Sequence, residues 1–276
     1  RDSAAAVLGD PMAVEFVPTT GQTRFTALAS GEIDFLARNT TWTFSRDVDL
    51  KFEFVGINYY DGQGFMVPRA LGVSSAKDLD GATVCIQTGT TTELNLADFF
   101  RVNNISYEPV PIETNAEAQQ QYLAGACDTY TTDASGLAAS RAAFENPGDH
   151  VLLPEIISKE PLGPLVRHGD NEWADVARWT LNALIAAEEL GVTSANIAEM
   201  ASGTDNPEIN RLLGSEGELG AMLGLESDWA MKAIMAGGNY GELFEKNIGE
   251  NTPIGLARGL NALWTDGGLV YTPPFR

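Results

Sequence analysis

The sequence predicts an α/β protein of two lobes joined by a two-strand hinge, and three observations carry that prediction. Residues 71–165 alternate short β-like runs with helical runs, the opening segment repeats that alternation on a smaller scale, and the chain from about Glu172 is largely helical. Strands separated by helices of roughly 10–15 residues imply crossover connections and a parallel sheet. A chain that is α/β, α/β again and then helical returns its last part to the first lobe, so it crosses between lobes twice. The predicted division is 1–66 with 166–276 in the first lobe and 67–165 in the second. Two parallel crossings make a hinge, and a hinge between lobes makes a cleft.

Taken in order, "AVEFVP" reads as a strand, "GQTRFTALASG" as a helix closed by Gly31, and "EIDFLAR" as a strand followed by the loop "NTTWTFSRD". "LKFEFVG" and "QGFMVPR" are extended segments, and the crossings fall near "GQGFMVP" and "SKEPLGPLVR". In the second lobe "ATVCIQ", "SYEPVPI", "DTYTT" and "HVLLP" are strands. Between them "ELNLADFFRVNN", "NAEAQQQYLAGA" and "ASGLAASRAAFE" are helices. Beyond these, Trp173, Val176, Ala177, Thr180, Leu181, Leu184 and Ile185 keep the spacing of one helix face, and Gly191 can end that helix.

The 276 residues suffice for two domains, each with its own core. The formal charge of −21 would repel nucleic acid and anionic lipid, so neither is an expected partner. No apolar run is long enough to span a membrane, so no direct insertion is expected. "RDSAAAVLGD" is no signal peptide, and any export signal is expected to have been removed already. Cys85 and Cys127 form no CxxC pair and stand apart from His150 and His168, which leaves no zinc pattern and no Ser-His or Cys-His arrangement. No metal and no cofactor is expected. "NTT" at Asn39 and "NIS" at Asn104 fit the glycosylation sequon, a pattern frequent by chance.

The stretch "VCIQTGTTTELNLADFF" carries the first chemical clue. Thr90 and Glu93 have the spacing of a capping box, which places a helix start at the end of a buried strand. Free N–H groups and the helix dipole there attract an anion. No lysine follows Gly89 as a P-loop requires, and a dinucleotide site needs more glycines. A small carboxylate or an inorganic oxyanion remains, as does plain capping. Arg46 supplies a planar fork suited to a carboxylate, or a surface partner for Asp47 or Asp49. Asp133 supplies an acceptor for an ammonium, or the cap of the next helix. Donors with one arginine for one charge, and one aspartate for the other, form the constellation that an α-amino acid requires.

The words "SGEID…NTTWTFSRD…FEF", "GINYYDGQGFMV", "AKDLDGATVCIQTGTTTELNLADFF", "GACDTYTTDASGL" and "LPEIISKEPLGPLVR" resemble the periplasmic amino-acid-binding proteins of ABC importers. The general L-amino-acid binding subgroup of the family 3 solute-binding proteins is the nearest in kind. The resemblance runs along essentially the whole chain. It implies the type II periplasmic-binding fold, in which two α/β lobes close around one amino acid. Carried over by position, it implies that Arg46 binds the α-carboxylate and that Thr41 adds a hydroxyl or backbone donor. Thr91 would meet the same carboxylate from the other lobe, while the Asn39 carbonyl and Asp133 take the α-ammonium. Gln87 and Thr132 would bear on the choice of side chain. The implied partners are free L-amino acids and the membrane subunits of an ABC transporter, in a Gram-negative periplasm.

A 2-1-3 strand order would make the strand of Cys85 a neighbour of the strand that Cys127 leads into, so a disulfide is expected, the alternative being two buried thiols. Such a bridge suits an oxidising compartment. Family members normally begin with one more βα unit, whereas this chain starts in what looks like the end of the first helix. A central strand of the first lobe would then be lacking, with apolar surface and strand edges exposed; the alternatives are a fragment, or another segment or subunit that fills the gap. The loop "TTGQTRF" is small and polar near Gly21 and Gln22, where narrower relatives place an aromatic ring. A roomy pocket of broad specificity is the expectation, with Trp42 in its wall. No enzyme activity is expected. The competing readings are a dehydratase on the same fold, of the cyclohexadienyl type, and a module that senses ligand for a receptor.

Overall fold

A computed structural model describes residues 1–276. Its largest sheet has five strands in the order β5-β4-β6-β3-β7. These are β3 (Gln63–Pro68), β4 (Ala82–Gln87), β5 (Tyr107–Ile112), β6 (Thr129–Asp133) and β7 (His150–Leu152); β1 (Phe52–Phe54) and β2 (Tyr59–Asp61) precede them. The order β5-β4-β6 is the 2-1-3 arrangement. Every residue of β4 pairs in parallel with β5, and Val84 and Cys85 also pair with Thr129 and Tyr130 of β6. Bonded on both sides and covered on both faces, β4 reads as the continuous apolar run that buried parallel strands require. Cys85 and Cys127 are joined in a disulfide with their Cα atoms 5.5 Å apart.

The sheet is mixed rather than parallel throughout. β3 runs antiparallel to β6, from Gln63 opposite Asp133 to Met66 opposite Tyr130, and antiparallel to β7. It enters directly from β2, without a crossover helix to reverse its direction, so its sense opposes its neighbours. Gln63 to Met66, placed in the first lobe by the sequence, are thus strand residues of this sheet. Helices α3 (Thr91–Asn103), α4 (Asn115–Leu123) and α5 (Ala134–Ala143) supply the expected connections. Phe65, Val84, Ile86, Leu96 and Phe100 form one core of this lobe, and Met66, Tyr122, Tyr130 and Leu137 another.

Two short antiparallel ribbons follow, one at the junction of the lobes and one within the first. β8 (Glu160–Leu162) pairs with β2, placing Asp61 opposite Glu160, and β9 (Leu165–Arg167) pairs with β1. The chain therefore crosses both ways side by side at β2 and β8, the first crossing lying just ahead of "GQGFMVP".

The first lobe departs most from expectation. Ala13–Pro18 forms no strand, and Val14 and Phe16 lie exposed. Glu32–Arg38 makes only an isolated bridge, in which Leu36 and Leu165 exchange both backbone bonds. A strand is defined by its partners, and one neighbour over one residue is too little to extend the ladder. The opening helix α1 (Asp2–Leu8) packs against the helix Trp229–Gly237. The helix α2 (Arg24–Ser30) ends at Gly31 as expected.

The long helix α6 (Asn171–Glu189) begins at Asp170, whose side chain accepts from the Trp173 N–H. Its predicted face is inward: Val176, Ala177, Thr180, Leu184 and Ile185 are buried. Leu184 and Ile185 join Trp229, Ile234 and Phe275 in the largest core cluster, each such side chain contributing about 1.5–3 kcal/mol. No helix is long and apolar enough to cross a membrane.

Candidate functional site

The helix start at α3 is real, but its caps differ from the predicted box. Thr90 donates its hydroxyl to the Gln87 carbonyl (2.7 Å) rather than accepting from the helix, and Glu93 accepts from the Gly89 N–H (2.8 Å). Gly89 takes a left-handed φ of 71°, and a Cβ there would meet Gln22 and the Gly21 carbonyl at 3.0–3.2 Å. Across from it, a Cβ on Gly21 would lie 2.8 Å from the Thr88 carbonyl oxygen. Two glycines thus let loops of opposite lobes touch at the mouth of the cleft. The small, polar loop predicted to leave a roomy pocket instead brings the walls together, and the cavity between them is about 20 Å³.

That cavity gathers six of the predicted residues: Asn39 and Thr41 from the first lobe, with Gln87, Thr91, Thr132 and Asp133 from the second. Gln87 and Asp133 end the parallel strands β4 and β6, where such sheets offer ligand sites. Asn39 Nδ2 donates to Asp133 Oδ2 across the cleft at 2.8 Å, while the Asn39 carbonyl, expected to face an ammonium, accepts from Arg24 at 3.0 Å. Gln87 Oε1 accepts from the Tyr130 hydroxyl at 3.1 Å.

Two predicted residues stand back from the lining. Arg46 is buried in a π-helical turn, Ser45–Asp49, and donates to the Thr41 carbonyl at 2.9 Å, its guanidinium 5.0 Å from the Phe25 ring centre. It makes no pair with Asp47, which accepts from Trp42 Nε1 at 2.6 Å. Trp42 stacks on Phe54 and does not reach the cavity.

Three charged residues were missed. Arg24 is 3% exposed and donates to the Asn39 carbonyl, the Thr40 hydroxyl and, across the cleft, the Gly89 carbonyl. Its Nε has no partner. Arg38 donates to the Thr19 carbonyl and lines the cavity beside it. Glu160 lies on the ribbon beneath, 1% exposed. Arg24 had a signal, being the one charge in the small and apolar run "TRFTALAS". Glu160 had none beyond its place in a crossing.

The electrostatics set one sign against the other. Burial pushes Arg24 down to about 9, aided by Arg46 and Arg38, while Asp133 opposes the shift. Burial likewise lowers Arg46, against the pull of Glu160 and Asp133. Asp133 is pushed up to about 7 by burial first and by Asp61 next, with the Asn39 hydrogen bond working the other way. Buried guanidinium groups on one wall and an underprotected carboxyl on the other suit a small molecule carrying both charges. A larger cavity of about 530 Å³ lies beside the first lobe under Phe35, Leu184 and Tyr240. Its lining is mostly apolar and it shares only Arg38 and Asn39 with the cleft, so the converging charges make the smaller cavity the candidate site.

Two lobes, paired crossing strands and a charged cleft between them define a bilobal ligand-binding protein. Residues 2–196 match the bacterial extracellular solute-binding proteins, family 3, and the chain belongs to that family. It is 68% identical over 273 residues to the glutamate/glutamine/aspartate/asparagine-binding protein BztA of Rhodobacter capsulatus, covering 99% of this chain and 81% of that one. It is 57% identical to the general L-amino acid-binding periplasmic protein AapJ of Rhizobium johnstonii, covering 99% and 80%. Among solved structures, an ABC transporter periplasmic binding protein from Brucella ovis with glutathione bound superposes with a TM-score of 0.97, at 56% identity over 100% of this chain and 87% of that one.

Proposed function

We propose that the protein captures free L-amino acids outside the cytoplasm, in a Gram-negative periplasm, and delivers them to the membrane subunits of an ABC transporter. The observation that carries this reading is the opposition of buried Arg24, with buried Arg46 set back from the lining, to buried Asp133 across one cleft. The names of its relatives support the ligand class, and the difference between those names, four related amino acids in one and L-amino acids at large in the other, supports breadth of specificity. In this reading Arg46 reaches the α-carboxylate past Thr41, Thr91 offers its backbone N–H to the same group, and Asp133 takes the α-ammonium. Asn39 holds Asp133 in place, Gln87 and Thr132 face the side chain, and Arg24 adds a second guanidinium.

Residues 1–58 and 163–276 would move as one lobe and 63–158 as the other, bending at the β2–β8 ribbon. Neither lobe alone satisfies both charges, so ligand favours closure by its differential contacts there. A cavity of about 20 Å³ is near the size of a single water, so an amino acid enters only with the walls parted. The names of the relatives, all binding proteins, support capture rather than turnover.

Calorimetric titration of protein stripped of ligand by unfolding and refolding tests the reading. Several L-amino acids should bind at micromolar affinity or better, near −8 kcal/mol. Silence across the panel would reject it, and binding of one amino acid alone would reject the breadth.

A further inference from the structure

Glu160 sits at the junction of the lobes, on β8, with its carboxylate wholly buried. Its partners are all neutral. Oε1 accepts from Asn95 Nδ2 at 2.6 Å and from the Ser158 hydroxyl at 2.7 Å. Oε2 accepts from the Thr91 hydroxyl at 2.9 Å and from the Thr41 hydroxyl. Thr41 belongs to the first lobe, bridged to Leu162, whereas Thr91 and Asn95 lie one turn apart on α3 of the second. The two threonine oxygens come within 3.5 Å of each other, and both line the cleft.

Hydrogen counting turns this geometry into a statement about the ligand. A carboxylate only accepts, and a threonine hydroxyl owns a single proton. With both protons given to Glu160, each hydroxyl oxygen has only lone pairs left for the cleft. A carboxylate brought against them would find no donor, while an ammonium would find two acceptors. We propose that Glu160 is a positioning residue for capture, holding the Thr41 and Thr91 hydroxyls as a pair of acceptors that select the α-ammonium and that come together only when the lobes close. The inference rests on the amino-acid reading above and adds to it a role for the threonine hydroxyls. The α-carboxylate is held by guanidinium and backbone N–H groups, and the threonine hydroxyls serve the other charge.

The amide of Glu160→Gln keeps the shape but carries an NH2 in place of one oxygen. If that group faces Thr41 and Thr91, both hydroxyls must accept from it and turn their protons toward the ligand. The readout is the preference for L-glutamate over glutarate, its counterpart without the amino group, measured by titration calorimetry. Wild type should prefer L-glutamate at least about 100-fold, and Glu160→Gln should cut that preference about tenfold or more, the effect of a charge-assisted hydrogen bond. Thr91→Val, which removes one acceptor and leaves the carboxylate its other partners, should also cut the preference and serves if Glu160→Gln does not fold. An equal loss of affinity for both ligands would show a merely structural role and overturn the inference. Wild-type protein that binds no L-amino acid at all would overturn the amino-acid reading, and this inference with it.

Discussion

The wall of the cleft contributed by the second lobe rests on strands bonded on both sides, whereas the facing wall hangs on isolated bridges and turns. Gln87 and Asp133 end β4 and β6, each with a neighbouring strand to left and right. Opposite them, Thr41 is fixed by one bridge to Leu162, and Asn39 follows a single bridged residue, Leu36. The side chains differ to match. Where a sheet delivers the backbone to the site, short groups suffice: threonine hydroxyls, one amide, one carboxyl. Where the backbone is loosely held, long arginines span the distance and are steadied by rings, with both Arg24 and Arg46 about 5 Å from Phe25. Cation–π contact of this kind contributes about 0.5–2 kcal/mol each.

The sharpest way to break the comparison is to loosen the firm wall. Replacing both cysteines, Cys85→Ser with Cys127→Ser, should cost about 4 kcal/mol on the chain-entropy account of a loop this long. Melting would fall on the order of 10 °C, with amino-acid affinity little changed because the disulfide lies behind the site. An equal loss of affinity would mean that the firm wall is not firm without its bridge. Next in size, Asp133→Asn and Arg46→Met should each weaken binding at least about 100-fold, since either leaves a buried ligand charge unanswered. Asp133→Asn should in addition flatten the pH dependence of stability in ligand-free protein. A carboxyl raised to about 7 binds more protons folded than unfolded, so its contribution is greatest below about 4 and is lost as pH rises toward 7. Smallest, Gly21→Ala should hinder the approach to Thr88 and weaken binding about threefold to tenfold through closure alone. Unfolding curves should not move.

The same contrast governs how much could be read in advance. In the second lobe, β4, β5 and β6 with their helices, the 2-1-3 order, the disulfide and the placing of Gln87, Thr91 and Asp133 at the cleft were all legible. Periodicity there is local, and strand ends fix where side chains emerge. β3 was read as extended but split between the lobes, because antiparallel insertion depends on where the ribbon delivers the chain, which no local pattern records. In the first lobe "AVEFVP" carries a strand's residues without a strand's partners. Arg24 was hidden inside a helix reading, since a buried arginine and a surface arginine look alike until its acceptors are known. Arg46 stands one layer farther back than its motif implied, and Trp42 spends its indole on Asp47 and Phe54.

The central claim is that Asp133 meets the ammonium of a bound amino acid, and proton release on binding tests it most directly. At pH 6, a carboxyl with a value of about 7 is roughly nine-tenths protonated in ligand-free protein and must release that proton to solvent before it can accept from an ammonium. Titrating L-glutamate at pH 6 in buffers of different ionisation enthalpy should show close to one proton released per amino acid bound. Affinity should rise about tenfold per pH unit up to about 7 and then level off. Binding with no proton release, and an affinity flat from pH 5 to 8, would contradict the account and place the ammonium elsewhere.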